Sequence, residues 1–453
     1  MSTFKSINPF NNRIVETYQT IGEKEVSKKI KKASEAFKDW RKTSFDKRAA
    51  YMFNLAERLE AEKSSLANTI TLEMGKILKE SEAEIEKSSA CCRYYAENAE
   101  KFLQNENMPS SARRSYVRFD PIGAILAIMP WNFPVWQVIR FAAPYIMAGN
   151  VVFLKHAPNV CGVALALERL FLEAGFPEGV FQTLIIDVDL VPIIVNDAVV
   201  QGITLTGSEY AGSQVAAEAG RAIKKSVLEL GGSDAFIVCE DADISKAVTA
   251  GWQSRMQNAG QSCIAAKRFI LIGSVYDDFV DGFLAQSKKV KLGDPSDPTT
   301  TMGPMARIDL AEKLERQLKK SVKKGGKVLT GGNRNGCLFE PAIITEVKKG
   351  MPAFEEETFG PIANIIRAKD LDEAIKLANS SRYGLGSSLW TKNIERAQQM
   401  AGHIEAGSVF INALVKSDPR YPFGGIKKSG YGRELSYFGI REFMNVKTVY
   451  LND

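Results

Sequence analysis

The chain has 453 residues, enough for two or three structural units rather than one. Hydrophobic residues make up 45% and charged residues 25%, the balance of an ordinary soluble globular protein with a large core. The net charge of +6 arises from 59 basic and 53 acidic residues that alternate along the chain, as between Lys24 and Lys42, which argues against a nucleic-acid partner.

Val26, Ile30, Ala33, Phe37 and Trp40 fall on one face of an amphipathic helix. A second helical pattern follows Ser44 and runs through Met52, Leu55, Leu59 and Leu66, and a long helix covers roughly 76–103. The character changes at Tyr116, where 115–119 alternates like an exposed strand and Pro121-Ile122-Gly123 breaks it. Short apolar runs then alternate with helical segments. These runs are 124–129, 151–154, 183–186, 202–206 and 226–230, with a helix such as 162–174 between them. That rhythm predicts an α/β fold with a parallel, Rossmann-like sheet. A second α/β cycle follows Gly232, with strands expected at 235–239, 269–272, 327–329, 362–366 and 408–411. The tail, 445–451, is rich in β-branched and aromatic residues and predicts a final strand. No apolar run reaches the ~18 residues of a membrane helix, and the N-terminus lacks the apolar core of a signal peptide.

Six cysteines are present: Cys91, Cys92, Cys161, Cys239, Cys263 and Cys337. They form no C-x-x-C pair and no zinc-type cluster, so no metal is expected, and reduced thiols in the cytoplasm are the natural reading. Cys263 stands out because it lies in a polar, glycine-containing turn, Asn258-Ala259-Gly260-Gln261-Ser262-Cys263. A helix start at this point would lower its pKa. A nucleophilic thiol needs a proton-handling partner, and the chain has only two histidines, His156 and His403. Glu229, at the end of an apolar strand and before Gly231-Gly232, is the alternative. Partial burial there would push its pKa towards neutrality.

Other candidates follow strand ends, where parallel sheets bind ligands. Asn132, in the rigid turn Pro130-Trp131-Asn132-Phe133-Pro134, presents either an oxyanion donor or a turn-forming amide. Lys155 ends the 151–154 run and suits ribose hydroxyls or a 2′-phosphate as well as plain solvent. Gly207 and Ser208 open a helix and offer donors to a pyrophosphate. No G-x-G-x-x-G occurs, so a standard Rossmann phosphate loop is not expected. Glu357 and Phe359 place an acid and an aromatic beside a Gly-Pro turn.

Together these segments resemble the aldehyde dehydrogenase superfamily, in order and spacing, over essentially the whole chain. The resemblance implies a Rossmann-like dinucleotide-binding domain (1–114 and 130–230), an α/β catalytic domain (231–430), and a small β oligomerisation element (115–129 and 431–453). It implies Cys263 as nucleophile, Glu229 as the base for deacylation, and Asn132 with the Cys263 backbone N–H as oxyanion hole. It further implies NAD or NADP held by Ile128, Trp131, Lys155, Pro158, Gly207, Ser208, Leu230, Glu357 and Phe359. Homodimers or homotetramers follow from the same likeness, with 115–120 joined to the C-terminal strand.

The chain is more narrowly similar to short bacterial succinate-semialdehyde dehydrogenases, through Asn132 to Gln137, Lys155 to Asn159 and Ser417 to Arg420. That likeness implies a small aldehyde substrate lined by Trp136, Arg140 and Phe423, with Arg140 gripping a carboxylate unless a structural ion pair claims it. Three departures bear on function. Pro158 replaces the glutamate of many NAD-specific members, which opens the site to NADP. Gln257 stands where some relatives carry a second arginine, and Ala265 where some carry a second, redox-active cysteine. Glutarate semialdehyde, lactaldehyde and glycolaldehyde are alternative substrates. A CoA-acylating enzyme, a thiol hydrolase and a non-catalytic protein on the same fold are the alternative classes.

Overall fold

Short aliphatic runs enclosed on both faces form the inner strands of two sheets, as expected for parallel pairing under helices. The structure is a computed structural model and describes residues 2–452. In the first sheet the order is Gly430–Tyr431, Lys225–Glu229, Val200–Thr206, Ala124–Met129, Val151–His156 and Phe181–Thr183. All neighbours are parallel except the Gly430–Tyr431 edge. The chain steps outwards on one side of Ala124–Met129, then returns to its other side at Val200–Thr206. The crevice at the carboxyl ends of those two strands is therefore the switch point where such sheets bind ligands.

The second sheet has the order Lys327–Thr330, Ala342–Thr345, Ile362–Ala368, Ala266–Ile272, Asp234–Val238, Gly386–Trp390 and Ser408–Ile411. Only Lys327–Thr330 runs antiparallel to its neighbour. Gly231 and Gly232 connect the last parallel strand of the first sheet to the second sheet. A third, antiparallel sheet joins Met444–Leu451 to Arg114–Pro121 and Glu106–Asn107.

Several expectations shift. Ala124–Met129 lies inside the first sheet, so the strand-built element ends at Pro121 rather than at residue 129. The helical pattern through Leu66 is two helices, Phe45–Ala61 and Lys63–Met74, broken at Glu62. The strand expected at 183–186 is centred earlier, at Phe181–Thr183. An N-terminal hairpin, Thr3–Ile7 with Ile14–Gln19, was not foreseen, nor were Gly386–Trp390 and Ala342–Thr345.

Helix Trp136–Met147 carries most of the apolar load beneath the switch point, and each of its twelve residues is buried. No side chain of its own caps it. Instead Glu84, on helix Leu78–Phe102, accepts hydrogen bonds from the backbone N–H groups of Val135 (2.8 Å) and Trp136 (2.9 Å). The other Glu84 oxygen pairs with the Lys76 ammonium, and both side chains are buried. Lys76 also lies 4.0 Å from the centroid of the Phe133 ring. One carboxylate thus satisfies a helix terminus and a buried cation together, and it fixes the two helices that flank the site.

Replacing Glu84 by Ala should therefore cost about 3–5 kcal/mol, because it leaves a buried ammonium and two N–H groups without partners. A denaturant midpoint measured on the purified variant checks this, and an unchanged midpoint would contradict it.

Candidate active site

Cys263 sits in the loop between helix Ile244–Met256 and strand Ala266–Ile272, not at a helix start. The loop is strained. Asn258 (φ 54°) and Ala259 (φ 50°) are left-handed without being glycine, and Gly260 follows at φ 73°. Side chains hold it in place. Asn258 Nδ2 donates to the Asn132 carbonyl at 2.8 Å, and the buried Arg255 guanidinium donates to the carbonyls of Gly260 and Gly360. Lys267, fully buried, donates to the carbonyls of Ser262 (2.8 Å) and Cys263 (2.6 Å) and pairs with Glu357 at 3.2 Å. The Cys263 thiol is partly exposed on a cavity wall. Burial raises its pKa to about 11, against the opposing pull of Lys267 and Arg140.

Asn132 is 4% exposed and its amide orientation is fixed. Gln137 Nε2 donates to its Oδ1 at 3.1 Å, and its Nδ2 donates to the Gln261 carbonyl at 3.1 Å. An amide nitrogen has two hydrogens, so one is left for a ligand. Glu229, 2% exposed, closes strand Lys225–Glu229, and neither carboxyl oxygen has a hydrogen-bond partner. Burial, and then the charge of Glu434, hold its pKa well above the usual carboxylate range. A buried, unsatisfied carboxyl group is costly and rare, which marks it as a group kept for chemistry.

A cleft of about 740 Å³ opens beside these groups, lined by Ser208, Leu230, Gly231, Glu357 and Arg382 among others. Ser208 caps helix Glu209–Arg221 by accepting from the Ala211 N–H at 3.2 Å, and the Gly207 N–H donates to the Glu229 carbonyl. Glu357 Oε1 accepts from the Gly232 N–H at 3.0 Å. A Cβ at Gly231 would meet Glu357 Oε2 at 2.5 Å, so a larger residue there would displace the Glu357 carboxylate. The Trp131 and Phe359 rings meet edge-on at 5.9 Å. Ile128 is the one incompletely buried residue of its strand. Lys155, 6% exposed, makes one long hydrogen bond of 3.4 Å to the His156 carbonyl and pairs with no carboxylate among the described residues. A buried ammonium so poorly satisfied fits a ligand hydroxyl or phosphate. Pro158, three residues on, is exposed.

The aldehyde dehydrogenase family pattern matches residues 1–449. The chain belongs to the aldehyde dehydrogenase family. This aldehyde dehydrogenase is 47% identical over 452 residues to succinate-semialdehyde dehydrogenase [NADP(+)] 1 of Mycobacterium bovis (strain BCG / Pasteur 1173P2), covering 98% of this chain and 99% of the relative. It is 46% identical over 449 residues to a probable succinate-semialdehyde dehydrogenase [NADP(+)] of Synechocystis sp., with 98% and 99% covered. Among solved structures, it superposes on succinic semialdehyde dehydrogenase from Streptococcus pyogenes, in complex with NADP+, with a TM-score of 0.97 and 36% identity. That match covers 99% of this chain and 100% of the other.

In this aldehyde dehydrogenase a second cavity, of about 420 Å³, is lined by Cys263, Trp136, Arg140 and Phe423, so four residues expected near the substrate do converge. Arg140 is nevertheless engaged. Its Nε pairs with the buried Glu434, its Nη2 donates to Thr206 Oγ1 at 3.2 Å, and its guanidinium lies 4.6 Å from the Phe423 ring centroid. Only Nη1 makes neither an ion pair nor a hydrogen bond. The structural ion pair weighed in the sequence reading is therefore real, and Arg140 is not a free carboxylate clamp. Sequence reasoning missed Glu434, Lys87 and Glu80, which also face this region. Glu80 accepts from the Asn258 N–H at 3.0 Å, and burial lifts its pKa to about 7.

With burial raising the Cys263 pKa to about 11, alkylation of the free enzyme by iodoacetamide should accelerate about tenfold per pH unit from pH 7 to 9. A rate already flat below pH 8 would show a resting thiolate instead.

Proposed function

We propose that this aldehyde dehydrogenase oxidises succinate semialdehyde to succinate with NADP or NAD. The observation that carries the reading is the cavity that ends at Cys263, where Lys87, Arg140 and Lys416 line the wall and the acids Glu84 and Asp418 are paired with Lys76 and Arg420, beside an unsatisfied Glu229. The names of the relatives support the same substrate.

In this reading the Cys263 sulfur, once ionised, attacks the aldehyde carbon, and the carbonyl π electrons pass to oxygen. The free Nδ2–H of Asn132 and the Cys263 backbone N–H stabilise that oxyanion. Covalent capture is needed because an aldehyde carbon becomes a hydride donor only when it is tetrahedral. A bound nicotinamide supplies the acceptor for that hydride. Glu229 then takes a proton from water, the oxygen attacks the resulting thioester, and the carbon–sulfur bond breaks to release the acid. Lys155 and Glu357 would hold ribose hydroxyls, Ser208 the pyrophosphate, beside Gly207 whose own N–H is taken by the Glu229 carbonyl, and Ile128, Trp131, Leu230 and Phe359 the flat rings. Pro158 brings no negative charge near Lys155, so a 2′-phosphate is tolerated and both nucleotides should serve.

The oligomer is part of the same proposal. The outer strand Met444–Leu451 leaves Val446, Tyr450 and Leu451 exposed, which suits burial against a second copy in a homodimer or homotetramer. The six cysteines are free, in keeping with a cytoplasmic enzyme. No helix among the described residues is long and apolar enough to cross a membrane.

Steady-state assays should favour succinate semialdehyde over butanal by roughly a hundredfold in kcat/KM, about 2.7 kcal/mol of discrimination. Equal values would leave the family intact and remove the substrate. Glu229→Gln should release one equivalent of reduced nucleotide per site in a rapid burst and then turn over slowly. Loss of the burst itself would place Glu229 before the thioester rather than after it.

A further inference from the structure

The charged end of the substrate needs a partner, and Arg140 offers it only one nitrogen. The opposite wall of the cavity is helix Leu78–Phe102, which presents Glu80, Ala83, Glu84, Lys87 and Ala90 along one stripe. Lys87 is accessible within the cavity. Its ammonium lies 3.8 Å from the Trp136 ring centroid and donates to Ser417 Oγ at 2.9 Å. Among the described residues no carboxylate lies within ion-pair distance of it, because the nearby acids are committed elsewhere. Glu84 pairs with Lys76, Asp418 with Arg420, and Glu434 with Arg140.

Ser417 adds an independent sign. It is 5% exposed, and its Oγ accepts from both Lys87 and Trp136 Nε1 (3.0 Å). Both lone pairs are used, so its own O–H remains to be donated. Lys87 and Arg140 thus face the cavity from opposite walls with a spare hydroxyl donor beside Lys87, and of the acids that also line it Glu84 and Asp418 are paired with Lys76 and Arg420, which leaves the donor set of a carboxylate site.

We propose that Lys87 and Ser417 form the distal anion subsite of this cavity, and that Lys87 rather than Arg140 alone selects aldehydes ending in a carboxylate. The inference rests on the substrate reading above. It also accounts for Gln257, since the second cation comes from the helix wall instead of from the loop before Cys263.

The charge of Lys87 is conditional. Burial first, and then repulsion from Arg140, lower its pKa to about 8, while Cys91 and Glu84 on its own helix and Asp418 opposite favour the charged form. Glu80 and, at the rim, Lys416 complete the charged lining of the cavity. In the free enzyme the ammonium is present below that value and lost above it. The preference for a carboxylate, expressed as a ratio of kcat/KM values, should therefore fall through pH 8. Taking the ratio cancels ionisations common to both substrates, such as those of Cys263 and Glu229.

The test is kcat/KM for succinate semialdehyde and butanal in wild type, Lys87→Met and Lys87→Arg, from pH 6.5 to 9.5. Lys87→Met should lose roughly thirty- to a hundredfold on succinate semialdehyde, mainly through KM, and change butanal by less than about threefold. Lys87→Arg should keep most of the preference, and the pH dependence of the ratio should vanish in Lys87→Met. Retained butanal turnover shows that the variant is folded. If Lys87→Met keeps the wild-type ratio, or loses both substrates equally while Lys87→Arg restores both, the subsite is wrong and Arg140 alone reads the carboxylate. A wild type with no preference at any pH removes the substrate reading itself, and the subsite with it.

Discussion

The buried pair of Arg140 and Glu434 is the contact on which the site depends. It joins three parts of the chain, which also meet where Phe443 packs against Tyr145 and Gly202. Arg140 belongs to helix Trp136–Met147, and Thr204 and Thr206, which bond Glu434 and Arg140, belong to strand Val200–Thr206. Glu434 lies in the C-terminal loop, where its backbone and that of Phe423 exchange two 2.7 Å hydrogen bonds. Two desolvated charges cost several kcal/mol each, so the pair need not be a net source of stability. Its effect is positional and electrostatic. It seats Phe423 over the guanidinium, and it sets near Glu229 a negative charge that adds to burial in holding its proton on and a positive charge that opposes it. Removing Arg140 would leave Glu434 buried and unpaired, which is worse than either having the pair or never having had it.

Close backbone approach is the second constraint. A Cβ at Gly424 would stand 2.7 Å from Glu229 Oε1, and one at Gly232 would stand 2.7 Å from the Cys263 carbonyl. The glycines let the C-terminal loop and the junction between the sheets approach Glu229 and the Cys263 backbone closely. The loop before Cys263 carries the opposite feature, two non-glycine residues in left-handed conformation. Their cost, of order 1–3 kcal/mol each, is tolerated because Asn258, Arg255 and Lys267 over-determine the path of the backbone.

What could be read from the sequence was local. Strand Ala124–Met129 and the turn after it are contiguous, so Ile128, Trp131 and Asn132 could be placed at a strand end from apolar patterning and two prolines. Glu229 before two glycines was legible for the same reason. Gly386–Trp390 was not, because Gly-Ser-Ser-Leu-Trp lacks β-branched residues and becomes a strand only through pairing on both sides. The N-terminal hairpin is short, polar and half exposed, which leaves no period to detect. Long-range partners were beyond reach altogether. Nothing near Arg140 announces Glu434, and Lys87 lies 330 positions from the serine it bonds, on a helix face that reads as one more solvated stripe. The suggestion of a helix start at Cys263 failed because a left-handed turn, not a helix, precedes the next strand.

The raised pKa values of Cys263 and Glu229 share one cause, burial, and this bears on how the proposed chemistry starts. When the site loses its first proton, the charge can rest on sulfur or on the carboxylate. Burial penalises both, so part of that cost cancels in the comparison, and the balance is set by the neighbouring charges together with the greater intrinsic acidity of the carboxyl group. Lys267 and Arg140 favour an anion at Cys263; at Glu229, Glu434 opposes an anion while Arg140 and Arg433 favour one. Those cations are already contained in the Cys263 value of about 11, and together with Glu434 set against Glu229 they narrow the gap between the thiol and the intrinsically more acidic carboxyl group. Once the sulfur is acylated it can no longer carry that charge. Glu229 must then ionise against Glu434, and as a strained, unpartnered anion it is a strong base for water. The same arrangement that delays Glu229 in the first half of the cycle makes it effective in the second.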